Sequence, residues 1–308
     1  MKFIKSIPMA FCGVALALAA LGNLLLASFP GTGEWLRYAC GLLAAVILLL
    51  FALKLILDFP HVREELKTPA VLSVLPTSTQ ALMLLSTYLK PYIDNVAVGL
   101  WYAAIIIHLG IMTLFFARFV LRFKWENVLP TWFVPLTGFV TISVCAPVMG
   151  ALPLGQLAFY VGLILYFVTL LLVVYRLVKV KALPEPLRLT TAIFAAPMSL
   201  CLVGYLSSFA HPNEALVYFM LTIVIVSYAF VAVKMPSLLR IKFYPTYAAF
   251  TFPSVISAVA FRVGNAFLVE RGLTLLTPMV GISLWAAIAV VAFVLAHYVR
   301  YFFSGNKS

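Results

Sequence analysis

Ten long runs of hydrophobic residues follow one another along the chain, separated by short segments rich in proline, glycine and charge. A helix of about 20 apolar residues crosses the roughly 30 Å hydrocarbon core of a bilayer. The pattern therefore predicts an all-α integral membrane protein with ten transmembrane helices. The predicted spans are residues 6–28, 34–57, 69–90, 95–121, 129–149, 154–178, 189–210, 213–234, 246–267 and 273–303. The short connections leave no room for a soluble domain, so residues 1–308 are predicted to form a single transmembrane channel domain.

The odd-numbered spans differ from the even-numbered ones because each carries an interior proline, whereas spans two, four, six and eight carry none. These prolines recur roughly 60 residues apart, which is the length of one helical hairpin. A proline kinks a helix and frees a backbone carbonyl, which is unfavourable against lipid. We therefore predict five helical hairpins in a quasi-five-fold arrangement, with an inner ring of odd helices around a central pore and an outer ring of even helices. The predicted kinks lie at Pro8, Pro76, Pro135, Pro197 and Pro253.

Small and hydroxylated residues cluster near these prolines and are candidates for lining the pore. The candidates are Thr77, Gln80, Thr137, Thr141, Ser199, Ser254 and Ser257. Small residues also allow membrane helices to pack closely, so the sequence leaves both roles open for each of them. No charged side chain lies midway along an odd span, which argues against a cation pathway or a proton-coupled pump. Hydroxyls, backbone N–H groups and helix dipoles favour an anion instead.

The ninth span carries an aromatic residue on a small, polar face. Ser254, Ser257 and Phe261 are spaced i, i+3 and i+7, which places them on one side of a helix. We predict that Phe261 is a pore gate, because an aromatic ring across a narrow passage blocks it sterically and by dewetting. The alternative is an ordinary core phenylalanine in a chain that contains 25 of them.

Composition and charge agree with a membrane protein and indicate its orientation. The chain is 65% hydrophobic and 10% charged, whereas a soluble domain is about one quarter charged. With ten spans both termini lie on one side, and all Lys and Arg residues except Arg37, Lys90, Arg262 and Arg271 fall on that side. Basic residues stay cytoplasmic, which predicts cytoplasmic termini in a bacterial inner membrane. The net charge of +12 then indicates contact with anionic membrane lipid and no nucleic-acid partner.

The sequence contains no pattern typical of an enzyme. It has no phosphate loop, no cofactor motif and no grouping of serine, histidine and aspartate. The four cysteines form no C-x-x-C pair, and the four histidines are too far apart for metal-ligand spacing. We therefore predict a protein that is not an enzyme and that binds no metal and no cofactor.

Ten spans, five proline-kinked helices and the segment AFTFPS at residues 249–254, leading to Phe261, resemble one family of membrane proteins. This is the tellurite-resistance/dicarboxylate transporter family, which includes the bacterial tellurite-resistance protein TehA and the slow-type anion channels of plant guard cells. The length and charge pattern are most similar to the bacterial branch represented by TehA. The resemblance implies a homotrimer with one pore in each subunit, and it places the family's gate phenylalanine at Phe261.

The same resemblance implies a gated channel for small monovalent anions, such as chloride, nitrate-like ions or tellurite, and an association with tellurite resistance. The alternative is a secondary transporter for tellurite or C4-dicarboxylates. Transporters of that kind usually combine paired repeats with charges near the membrane midplane. Five repeats and an uncharged interior favour the channel.

Overall fold

The computed structural model describes residues 2–180 and 182–303, which contain helices and no strand. Ten of the helical spans are long and apolar enough to cross a membrane, as predicted. They are α1 (Met9–Ser28), α2 (Gly33–Leu57), α3 (Pro69–Leu89), α4 (Asp94–Val120), α5 (Pro130–Met149), α6 (Leu152–Lys179), α7 (Glu185–Ser208), α8 (Glu214–Leu238), α9 (Pro245–Val269) and α10 (Thr277–Phe303). Short helices at Lys2–Lys5 and Phe59–Glu65 lie outside them. The prediction that α8 lacks an interior proline is wrong, because the helix continues to Leu238 and includes Pro236.

The odd spans form the interior of the bundle and the even spans form its outside. In the most apolar stretch of each helix, 61–83% of the residues are buried in the odd spans and only 28–33% in the even spans. The odd helices contact one another in the order α1, α3, α5, α7, α9 and back to α1, which closes a five-membered ring. Each even helix packs against the odd helix that precedes it. The predicted inner and outer rings are therefore confirmed.

The odd spans are irregular near their prolines, whereas the even spans are continuous apart from a π-helical turn at Phe116–Val120. Irregular 3-10 segments occur at Met9–Phe11, Thr137–Val140, Leu189–Ala195 and Pro245–Phe250, and α3 is interrupted between Val74 and Thr77. A proline has no N–H to donate, so each interruption frees carbonyl groups that need other partners. In α1, the Phe11 N–H bonds to the Pro8 carbonyl, and the Ile7 carbonyl instead accepts a 2.7 Å hydrogen bond from the Lys54 ammonium.

Several basic residues on the side where the odd spans begin are paired with acidic ones. Lys5 lies 3.3 Å from Asp58, and Lys54 lies 3.2 Å from Glu65. Lys181 and Lys307, which the charge argument places on this side, lie outside the described residues.

Candidate functional site

A cavity of about 80 Å³ lies at the centre of the inner ring. Every residue that lines it belongs to an odd span, and all five odd spans contribute. Examples, one from each of α1, α3, α5, α7 and α9, are Gly13, Gln80, Thr137, Ala196 and Phe252. Most of the lining residues come from the first half of their spans, so the cavity lies toward the side with most of the basic residues. Its volume accommodates a small ion with a few water molecules.

The cavity wall is uncharged and carries few polar groups. None of the described residues that line it is Asp, Glu, Lys or Arg. Its polar side chains are those of Gln80 and five threonines, namely Thr77, Thr131, Thr137, Thr190 and Thr246. Most of the wall's surface is apolar, and it carries no fixed charge that would hold a passing ion tightly.

The structure brings some of the predicted pore residues to this cavity. Thr77, Gln80 and Thr137 line it, and so do Pro197 and Pro253. The other three predicted prolines are not among the lining residues but lie where their spans are irregular. Pro8 precedes the first 3-10 segment, Pro76 precedes Thr77, and Pro135 lies just before Thr137.

The structure places the remaining predicted hydroxyl residues elsewhere. Ser199 and Ser257 donate to one carbonyl, that of Ala195, over 2.7 and 3.0 Å, and so join α7 to α9. Ser254 donates to the Phe250 carbonyl over 2.8 Å and borders a second cavity, of about 230 Å³, between α7, α8, α9 and α10. None of these three residues lines the central cavity.

Thr141 is fully buried, one helical turn beyond Thr137, and is not among the residues lining the central cavity. Its hydroxyl has no hydrogen-bond partner within the described ranges. Thr141 is therefore a buried interior residue that does not belong to the cavity wall.

Phe261, the residue predicted to be the gate, packs between two helices and is not among the residues that line the central cavity. Its ring is 1% exposed and lies edge-on to Tyr228 of the outer helix α8, with the ring centroids 5.1 Å apart. Phe252, in contrast, lines the central cavity. The two residues are separated by roughly two and a half turns of α-helix, so their side chains lie on opposite faces of α9. Sequence reasoning missed Phe252, although its position directly before the kink-forming Pro253 was a usable signal.

Side chains of α3 and α4 support the irregular part of α5 beside the cavity. The Gln80 amide Nε2 donates to the Val134 carbonyl over 3.0 Å. The two ring nitrogens of His108 lie 2.9 Å from Thr79 Oγ1 and 3.3 Å from the Pro135 carbonyl oxygen. His108 is therefore a hydrogen-bonded packing residue that joins α4 to both α3 and α5.

A closed ring of irregular helices around an uncharged cavity, shielded from lipid by continuous helices, defines a membrane protein that forms a passage for small solutes. The model of the SLAC1 family, described as voltage-dependent anion channel, matches residues 4–300. Because this match covers nearly the whole chain, the protein belongs to that family of anion channels. The family resemblance drawn from the sequence is confirmed, and so is the prediction that the protein is not an enzyme. No curated protein matches the sequence.

Proposed function

We propose that this protein is a gated anion channel that conducts small monovalent anions, such as chloride or nitrate, through the cavity between its five odd spans. The observation that carries the proposal is the composition of the cavity wall. All five inner helices contribute residues to this wall, and none of the described residues that form it is charged. Such a passage presents no carboxylate that would repel an anion and no ammonium or guanidinium group that would trap it. Conduction is rapid because no single group binds the ion strongly.

In this proposal Phe252 is the residue that obstructs the passage. Its half-buried side chain belongs to the cavity wall and lies next to Pro253, just after the irregular segment Pro245–Phe250 of α9. An apolar ring in a narrow passage opposes an ion both by its volume and by excluding water. Every 1.36 kcal/mol that the ring adds to the barrier slows conduction about tenfold.

The test is the anion current of the purified protein in planar lipid bilayers. We expect Phe252→Ala to raise the current at least about tenfold, because it removes the ring from the passage. Phe261→Ala is the matched control, since it deletes the same ring from the same helix on the face that contacts Tyr228. The control is expected to keep the wild-type current. A rise in Phe261→Ala without one in Phe252→Ala would restore Phe261 as the gate, and unchanged currents in both would refute gating by α9.

The same recordings separate a channel from a transporter. Saturable, proton-coupled exchange of tellurite or a C4-dicarboxylate would indicate a secondary transporter. The uncharged cavity wall supports the channel. An association with tellurite resistance is tested by comparing the growth of cells with and without the gene on tellurite.

We also propose a homotrimer in the bacterial inner membrane with both termini in the cytoplasm. The family resemblance supports the trimer, and the excess of basic residues on the terminal side supports the orientation. Light scattering of the detergent-solubilised protein measures the subunit number. Protease protection of tagged termini in sealed vesicles measures the orientation.

A further inference from the structure

We propose that the second cavity, between α7, α8, α9 and α10, binds one acyl chain of an anionic phospholipid whose phosphate contacts Lys234 and Arg240. This lipid site is separate from the central cavity, and it does not depend on the proposed channel function. Two observations carry the inference: the accessibility of an apolar cavity from the lipid-facing side of the bundle, and the unpaired basic residues at its end.

The second cavity has a buried floor and an accessible rim. Its volume is about 230 Å³, against about 80 Å³ for the central cavity. The floor is formed by Ala192, Ala195 and Phe250 of the inner helices, which are buried. Ala232 of α8 and Ala286 of α10 lie at the rim and keep accessible surface. Since α8 and α10 belong to the outer ring and pack against inner helices, the cavity opens between them toward the bilayer.

The wall of the second cavity suits a hydrocarbon chain. None of the described residues that line it is charged, and its only hydroxyls are those of Tyr228 and Ser254. The Ser254 hydroxyl already donates to the Phe250 carbonyl. Water would therefore find few polar partners in this cavity. An empty apolar cavity leaves its lining atoms without van der Waals partners, so a chain from the surrounding lipid is the favoured occupant.

Basic residues at the end of α8 select the headgroup of the lipid. Met235 lines the cavity, Lys234 precedes it, and Arg240 follows five residues later, just beyond the end of α8. Both basic residues are exposed, and neither forms an ion pair with another described residue. No Asp or Glu occurs between residues 215 and 269, which include nearly all of α8 and the whole of α9. Basic residues between membrane helices on this side attract the phosphate of an anionic lipid.

The proposed lipid site borders the wall of the central cavity. Pro253 lines both cavities, and Phe252, which lines the central one, lies beside it in the chain. A chain in the second cavity therefore packs behind the part of α9 that carries Phe252.

The experiment measures lipid binding to the purified full-length protein in detergent by native mass spectrometry. The probes are dioleoylphosphatidylglycerol, which is anionic, and dioleoylphosphatidylcholine, which is zwitterionic and has the same chains. We expect the wild type to bind phosphatidylglycerol at least about tenfold more tightly. Lys234→Gln and Arg240→Gln should each weaken the binding of phosphatidylglycerol about fivefold, the effect of one basic residue near an anionic headgroup, and should leave phosphatidylcholine unaffected.

A second pair of variants tests the position of the chain. Ala286→Phe places a ring in the cavity and should weaken the binding of both lipids about tenfold, because the chain loses its contacts there. Ala289→Phe is the matched control, since it makes the same change on the same helix at an exposed residue that does not line the cavity. The control is expected to bind both lipids as the wild type does.

Each outcome decides the proposal. A preference for phosphatidylglycerol that falls in Lys234→Gln and Arg240→Gln, with weaker binding in Ala286→Phe alone of the phenylalanine pair, supports it. Equal binding of the two lipids by the wild type, unchanged binding in Ala286→Phe, or an equal fall in Ala289→Phe overturns it. The same spectra report the number of subunits, and loss of assembly in Ala286→Phe with unchanged lipid binding would assign the gap to a second copy of this chain. Ala232→Phe fills the cavity from α8 and serves as the test if Ala286→Phe does not fold.

Discussion

Lys54 offers a test of how the protein stabilises its irregular inner helices. It belongs to the outer helix α2, yet it is only 1% exposed. Its ammonium donates to the Ile7 carbonyl over 2.7 Å and lies 3.2 Å from a Glu65 carboxylate oxygen. The Ile7 carbonyl needs this donor because Phe11 bonds to Pro8 instead. Lys54→Met keeps the length of the side chain and removes the charge and all of its donors.

The two contacts of Lys54 should contribute unequally to the free energy of unfolding. The bond to the buried Ile7 carbonyl is charge-assisted, and bonds of that kind contribute about 1.5–3 kcal/mol. The Glu65 side chain is 28% exposed, so solvent screens its pairing, which contributes about 0.2–1 kcal/mol. Lys54→Met should therefore cost about 2–4 kcal/mol in total. Glu65→Gln should cost less than about 1 kcal/mol, because it weakens only contacts that solvent screens, namely those with Lys54 and His61.

The assay is unfolding of the purified protein in mixed micelles of increasing SDS content, followed by circular dichroism. Lys54→Met should shift the midpoint clearly toward lower SDS, and Glu65→Gln should shift it little. Equal shifts in the two variants would show that the ion pair, and not the Ile7 carbonyl, is the stabilising contact. A wild-type midpoint in Lys54→Met would refute the reasoning altogether.

Two further predictions concern packing between the rings. Gly155→Ala should lower the free energy of unfolding by about 1–3 kcal/mol, because the added carbon would overlap the Ala146 side chain. Gly110→Ala is the control in the same SDS titration and should not lower it, because the carbon added there would meet open space. His108→Phe keeps an aromatic ring but withdraws the hydrogen bond to the Pro135 carbonyl, so a loss of about 1–3 kcal/mol is expected. An unfolding midpoint equal to that of the wild type in Gly155→Ala or in His108→Phe would contradict the prediction for that variant.

The architecture was predictable because local features of the chain encode it. The length of an apolar run decides whether a helix can cross the bilayer, and this depends on no distant contact. The interior prolines of the odd spans, such as Pro76 and Pro135, mark helices that cannot satisfy their own backbone. Such helices must be enclosed by other helices, so the odd and even pattern already separates an inner from an outer ring. Pro236 is the exception among the even spans, because α8 continues past its most apolar stretch to Leu238 and so includes this proline.

The identity of the residues at the cavity depended on tertiary packing. Both Phe252 and Phe261 are aromatic residues on α9, and the face that turns toward the axis is set by how α9 contacts α1 and α7. The grouping of Ser254, Ser257 and Phe261 on one face agrees with the structure, but that face turns toward α7 and α8.

The same distinction applies to the hydroxyl groups. Ser257 and Thr137 have equivalent chemistry in the sequence, but the Ala195 carbonyl lies within reach of Ser257, whereas no described acceptor lies within reach of Thr137. The sequence by itself determined the number of spans and the division into two rings, because both follow from hydrophobicity and proline along the chain. Only the tertiary structure decided which side chains reach the axis and which hydroxyls remain unused, because helix rotation and hydrogen-bond partners are set by residues far apart in the sequence.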